Sequence, residues 1–299
     1  MKLALRGIVF FLSLLALTLT SLPARAQEGP LENTPPKDTT VDEIIQKFAA
    51  KEKEFKAARD LYTYRQDILV NILDSDVKPA PEYHEVFDVL FDDKGHRIEN
   101  VVFAPQSTLE QGNLSLDQGD IQDFRNRLPF VLTSDEIGEY NILFVGQQQE
   151  DELQCYVFDV APKQIVGKKR YFQGRIWVDA RDLQIVKTYG QAVPEIRDTK
   201  KKGNKEEHLY PKFTTWRQQI DGQYWFPTYT RADDTLHFNT GDIHLREIVK
   251  YEDYKRFGSN VKILFEGKEI PKADQKPQAP DQKKPDDMAP QAPDPKKPQ

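Results

Sequence analysis

The sequence predicts a mostly β domain in which one amphipathic helix precedes about eleven antiparallel strands. Three observations carry this. Apolar residues recur at helical spacing only between Thr40 and about Arg59; from Tyr62 onward the period changes to two; and short turn signals separate the runs that follow. The span from 40 to 267 suits a single all-β domain, since such domains routinely reach roughly 200 to 250 residues.

The helix is readable from its start. Thr40 and Glu43 have capping-box spacing, and Val41, Ile44, Ile45, Phe48, Ala49 and Phe55 recur on one face. In the first strand Tyr62, Tyr64, Ile68, Val70 and Ile72 alternate with Thr63, Arg65, Asp67 and Asn71, as in a strand with one dry face. Further runs fall near 82–91, 97–103, 139–148, 153–161, 170–179, 183–190, 209–220, 223–231, 241–253 and 261–265. Asp93-Lys94-Gly95, Glu150-Asp151-Glu152, Asp179 to Asp182 and Asp221-Gly222 supply turns between them. Such short links imply an antiparallel meander, because parallel pairs need long crossovers. Leu116 to about Leu128 reads as a second, short helix stopped by Pro129, and Lys200 to Glu207 as a charged loop. So many strands must curl, split into a sandwich or close, and both helices find cover on the concave side of a curled sheet.

The ends differ from this body. Residues 1–26 have a basic start at Lys2 and Arg6, an apolar run from Gly7 to Leu22 and Ala24-Arg25-Ala26, the order of a secretory signal peptide cleaved after Ala26. The apolar run is interrupted by Ser13, Thr18, Thr20 and Ser21 and is short for a membrane span. No cysteine follows it for lipid attachment, so a freely diffusing periplasmic protein of a bacterial-type envelope is expected, without a transmembrane span in the mature chain. Residues 27–39, with Pro30, Pro35 and Pro36, read as a disordered leader, and 268–299, rich in Pro, Lys, Asp and Gln, as a disordered tail.

The formal charge of −6 offers no general attraction to nucleic acid or to anionic lipid. Cys155 is the only cysteine, which excludes an intramolecular disulfide, and its apolar run makes it a buried small hydrophobe. The five histidines are scattered, without zinc-ligand spacing. Asp233, Asp234, His237 and His244 form the one cluster worth naming for a metal or a hydrolytic site, although Ala232 to Thr235 more simply reads as a turn. No nucleophile elbow or phosphate-cradling glycine loop occurs. No catalytic residue, metal or cofactor is assigned, and a non-enzyme is expected.

Tyr171 to Asp179 (Tyr-Phe-Gln-Gly-Arg-Ile-Trp-Val-Asp), Leu183 to Lys187 (Leu-Gln-Ile-Val-Lys) and Asp221 to Pro227 (Asp-Gly-Gln-Tyr-Trp-Phe-Pro) resemble the outer-membrane lipoprotein-sorting family, whose LolA-like carriers, LolB-like receptors and RseB-like envelope sensors share one fold. The resemblance covers most of residues 40–265, in fold-level hairpin signatures. It implies an unclosed antiparallel β-barrel with helices over its mouth and an apolar cavity for the acyl chains of lipids or lipoproteins. Phe87, Val89, Phe91, Phe144, Phe158, Ile176, Val178 and Trp216 are the expected cavity wall. This chain departs from the carriers in the loop near Leu109 to Asp123, the lysine-rich loop and the tail, and the family arginine that latches the helical lid has no match; Arg65 reads as a surface residue. The first expectation is a monomeric carrier that encloses acyl chains. An envelope-protein interaction or sensor module is the second, and a hydrolase with an unrecognised site the third.

Overall fold

The computed structural model describes residues 28–92, 96–116, 121, 124–125, 132–167, 169–194, 210–238 and 241–256, and the backbone of 261–263 and 269–271. The expected signal peptide, the turn at 93–95, the loop from Lys200 to Glu207, almost all of the tail and most of the helix from Leu116 to Leu128 lie outside these residues. The chain divides into two compact units, Met1–Arg256 and Phe257–Gln299.

In the first unit, α1 (Val41–Arg59) begins in the capping box foreseen at Thr40 and Glu43, with the Glu43 N–H donating to Thr40 Oγ1 at 3.2 Å. The strands are β1 (Tyr62–Ile72), β2 (Glu82–Phe91), β3 (Arg97–Phe103), β4 (Tyr140–Glu150), β5 (Leu153–Pro162), β6 (Tyr171–Asp179), β7 (Ile185–Val193), β8 (Phe213–Ile220), β9 (Tyr224–Phe238) and β10 (Gly241–Arg256). They form one antiparallel, unclosed sheet of ten strands in the order β3-β2-β1-β10-β9-β8-β7-β6-β5-β4. The fold class is therefore the one expected, with a strand count close to it. In the second unit β11 (Val261–Ile263) and β12 (Glu269–Pro271) make a separate antiparallel pair. No helix among the described residues is long and apolar enough to cross a membrane.

One pairing and one link do not follow from hairpins. β1 pairs with β10, joining the first strand to the last, and β3 and β4 occupy opposite edges, so the chain between them returns across the whole sheet. Leu109, in a 3-10 turn, and Leu114 bury in one cluster on the sheet, and Leu132 buries in another, beside α1. Alternation then sets aside an opposite face, where Cys155, Val157, Trp177 and Val186 make a smaller cluster.

Three expectations are corrected. Residues 28–36 are not a disordered leader: Gly29 N–H donates to the Gln149 carbonyl at 2.8 Å, and Glu32 and Gln147 exchange backbone bonds of 2.9 and 2.8 Å. Edge strands carry unpaired backbone groups, and this stretch satisfies those of β4. Gly146 makes the approach possible, since a Cβ there would lie 2.3 Å from the Glu32 carbonyl oxygen. Ala232 to Thr235 are not a turn but continue β9, because Arg231, Arg246 and His244 all bond Asp233 and neutralise its charge within the sheet. Trp216 is not on the wall with the other expected residues; its neighbours in the strand, Thr215 and Arg217, face the helix side, and Trp216 stacks near Tyr229 on the other side with ring centroids 5.7 Å apart.

Candidate functional site

The helix-covered face is defined by two rows of directly paired residues that run across the sheet. One reads Phe144, Phe158, Ile176, Thr188, Thr215, Thr230, Val249, Ile68 and Glu85; the next reads Val160, Gly174, Gly190, Phe213, Ala232, Glu247, Val70 and Tyr83. In the first row Phe144, Phe158 and Ile176 on one side and Val249 and Ile68 on the other flank three threonines, with Glu85 beyond; in the second, Gly174, Gly190 and Ala232 are short, while Phe213 and Glu247 stand among them. Thr188, Thr215, Thr230 and Ala232 are 1%, 2%, 1% and 1% exposed, so this low strip of the floor is enclosed. The Thr188 hydroxyl has no hydrogen-bond partner among the described residues.

On the β4–β7 side Phe48 of α1 meets Phe158 with ring centroids 5.5 Å apart, and Phe144 meets the same ring from its other side, also at 5.5 Å. Ile44, Ala49 and Leu132 complete the cover over Ile176 and Val178. Further along α1, Phe55 packs edge-on against Phe226 at 5.2 Å. Between these contacts Glu52, 0% exposed, accepts two bonds from Arg217 Nη1 at 2.9 and 3.2 Å and one from Nη2 at 3.3 Å. The Ile185 N–H also donates to it, at 3.3 Å. Burial pushes the Glu52 carboxyl above its ordinary value, against the pull of the Arg217 guanidinium. This pair fixes the helix to the floor beside the threonine strip.

On the β1–β2–β10 side Phe87 and Val89 are fully buried with Ile68, Val70 and Val249, and Phe91 is partly buried against them. The returning chain is tied down by polar contacts: Arg125 Nε donates to Glu85 at 2.8 Å, the Tyr83 hydroxyl donates to Glu85 at 2.6 Å, and Arg97 Nη2 donates to the Arg125 carbonyl at 3.0 Å. Burial opposes ionisation of Glu85, but Arg125 and Tyr83 outweigh it and hold the carboxyl below its ordinary value.

Seven of the eight expected wall residues thus share the helix-covered face, four under α1 and three under the returning chain, while Trp216 does not. Sequence reasoning missed the Glu52–Arg217 pair and the threonine strip. The first was signalled by a glutamate within the apolar stripe Phe48, Glu52, Phe55, and the second by threonines at inward positions of three strands. Of the Asp233 cluster, His244 Nε2 lies 2.9 Å from Asp233, whereas His237 bonds Asp242. Among the described residues no group of three or more His, Cys, Asp or Glu side chains is placed to hold a metal. Cys155 is buried as expected, and burial pushes its thiol up to about 12.

No family model and no curated protein matches the chain. Among solved structures, a DUF1329 family protein from Desulfovibrio piger is similar at 14% identity, over 75% of this chain and 94% of that one, with a TM-score of 0.36. MucB in its complex with MucA from Pseudomonas aeruginosa is similar at 10% identity, over 71% and 99%, with a TM-score of 0.21. A structure of MucB in complex with MucA(peri) gives 9% identity, 71% and 100%, and 0.20. Overlaps this slight do not bear on function.

Proposed function

We propose that this is an exported envelope protein that holds the acyl chains of a lipid or lipoprotein along the strip between the two apolar fields, as a carrier of the lipoprotein-sorting kind, and without covalent chemistry. The observation that carries the reading is the cross-strand row in which the buried Thr188, Thr215 and Thr230 lie between Phe144, Phe158 and Ile176 on one side and Val249 and Ile68 on the other. Acyl transfer out of water is worth about 0.8 kcal/mol per CH₂, so a ~16-carbon chain gains roughly 10 kcal/mol or more in a dry site. The resemblance of the hairpin sequences to sorting proteins supports the same reading.

The test is a lipid extraction of protein purified from its native envelope, followed by mass spectrometry. A stoichiometric acyl lipid is expected; a lipid-free protein that also takes up no fluorescent fatty acid would remove the reading.

The second reading, a module that binds an envelope protein, is favoured by one observation. β3 forms an edge of the sheet, and Ile98, Val101, Val102 and Phe103 on it are 37% to 50% exposed. Such an edge is suited to pairing with an extended segment of a partner. Photo-crosslinkers at Val101 and Val102 should then trap one defined protein in cells.

A further inference from the structure

The β5–β6 connection carries a feature that the helix-covered face does not use. Ile165 and Val166 stand at its tip, 47% and 55% exposed, and Gly167, at φ 59°, turns the chain back. From Pro162 to Tyr171 the sequence holds Lys163, Lys168, Lys169 and Arg170 and no acidic residue, in a chain whose net charge is −6. Behind the tip lies an open cleft of about 560 Å³ lined by Gly138, Glu139, Lys163, Val166, Lys169 and Tyr171.

The two cleft lysines are held but not used up. Lys163 Nζ donates to the Gly138 carbonyl at 2.9 Å, and Lys169 Nζ pairs with Glu139 at 2.6 Å while lying 4.9 Å from the centre of the Tyr171 ring. An ammonium carries three protons, so each lysine keeps donors for a further acceptor. A soluble phosphate would satisfy those donors but leave two adjacent aliphatic side chains in water. An anionic bilayer satisfies both, with headgroup phosphates at the ammonium groups, aliphatics at the acyl boundary, and a tyrosine at headgroup depth.

We propose that the β5–β6 loop is a docking tip for an anionic phospholipid membrane, in which Ile165 and Val166 enter the acyl boundary and Lys163 and Lys169 hold headgroup phosphates. Docking does not require an acyl guest on the helix-covered face, so it stands whether or not the carrier reading does. Each basic side chain near such a surface raises partitioning about fivefold, and salt screens the effect.

The processed protein, recovered from an envelope extract, is floated with vesicles of phosphatidylglycerol and phosphatidylcholine in equal parts and with vesicles of phosphatidylcholine alone. Flotation is expected with the first only, falling about fivefold for Lys163→Gln and again for Lys169→Gln. Ile165→Asp with Val166→Asp should abolish it. Leu143→Asp, at an aliphatic 66% exposed on β4, should float like the unaltered protein, and unchanged melting temperatures show that all variants fold. Equal flotation with both vesicles, or undiminished flotation of the double aspartate variant, overturns the proposal. A response to the lysine changes but not to the aspartates would make the loop an anion site only, and overturns insertion as well.

Discussion

The two apolar fields of the helix-covered face are closed by different lids. Over β4–β7 the cover is a regular helix, held there by the Phe48–Phe158 contact and further along by Phe55 on Phe226 of β9 and by one buried ion pair to β8. Over β1, β2 and β10 it is the chain returning from β3 to β4, held by Leu109 and Leu114 and by hydrogen bonds from Arg125 and Arg97. A helix satisfies its own backbone and can lift as a body, whereas an irregular segment keeps its backbone satisfied only through contacts such as these. The difference teaches that a guest on the threonine strip has one cover that can move whole, and that Glu52–Arg217 is the contact it must break.

The sharpest way to break this comparison is at that pair. Glu52→Ala leaves Arg217 buried and uncompensated, and should cost about 3–5 kcal/mol in urea denaturation, whereas Glu52→Leu with Arg217→Met should lie close to the unaltered protein or above it. The pH dependence has a definite sign. Because burial raises the Glu52 carboxyl, the folded state holds its proton where the unfolded chain, at about 4.5, has lost it. The Glu52 contribution to stability is therefore fully present below 4.5 and declines as pH rises from there through the raised value, and the double variant should lose this slope.

Phe158→Ala should cost about 3–5 kcal/mol and Phe87→Ala a similar amount, since both rings are fully buried. Amide exchange separates them: the first should speed exchange in α1, the second in residues 109–114. Equal effects on both segments would mean that the fields are one cooperative unit. Gly146→Ala drives a Cβ into the Glu32 carbonyl, and should cost about 1–3 kcal/mol and release residues 28–36 to protease without loosening either field. Thr40→Ala, which removes the helix cap, should cost about 1 kcal/mol and be read in the melting temperature.

Much of the fold is legible in the sequence because alternation survives in it. β2 and β3 begin and end where the pattern places them, and α1 announces itself at Thr40. What is not legible depends on partners distant in the chain. Nothing local shows that β1 pairs with β10 or that the chain after β3 returns across the sheet. Asp233 and Asp234 look like a turn until Arg231, Arg246 and His244 are brought around the first of them. The leader's prolines suggest disorder until an open edge at β4 gives the stretch something to bond. At the site, the aromatic and aliphatic walls follow from alternation, but on β8 the inward positions carry Thr215 and Arg217 and the outward one Trp216, so the polar residues face in and the aromatic faces out, which hides both Arg217 and the true side of Trp216.

The central claim is that the low strip between the fields is where an acyl chain lies. It is tested most directly by titrating a fluorescent fatty acid into the unaltered protein and into Thr215→Leu and Thr230→Leu, which fill the strip from two neighbouring strands. Saturable binding by the unaltered protein, and its loss in both variants at unchanged secondary structure, is the predicted result. Uptake that is undiminished by these substitutions, or absent from the unaltered protein, would contradict it.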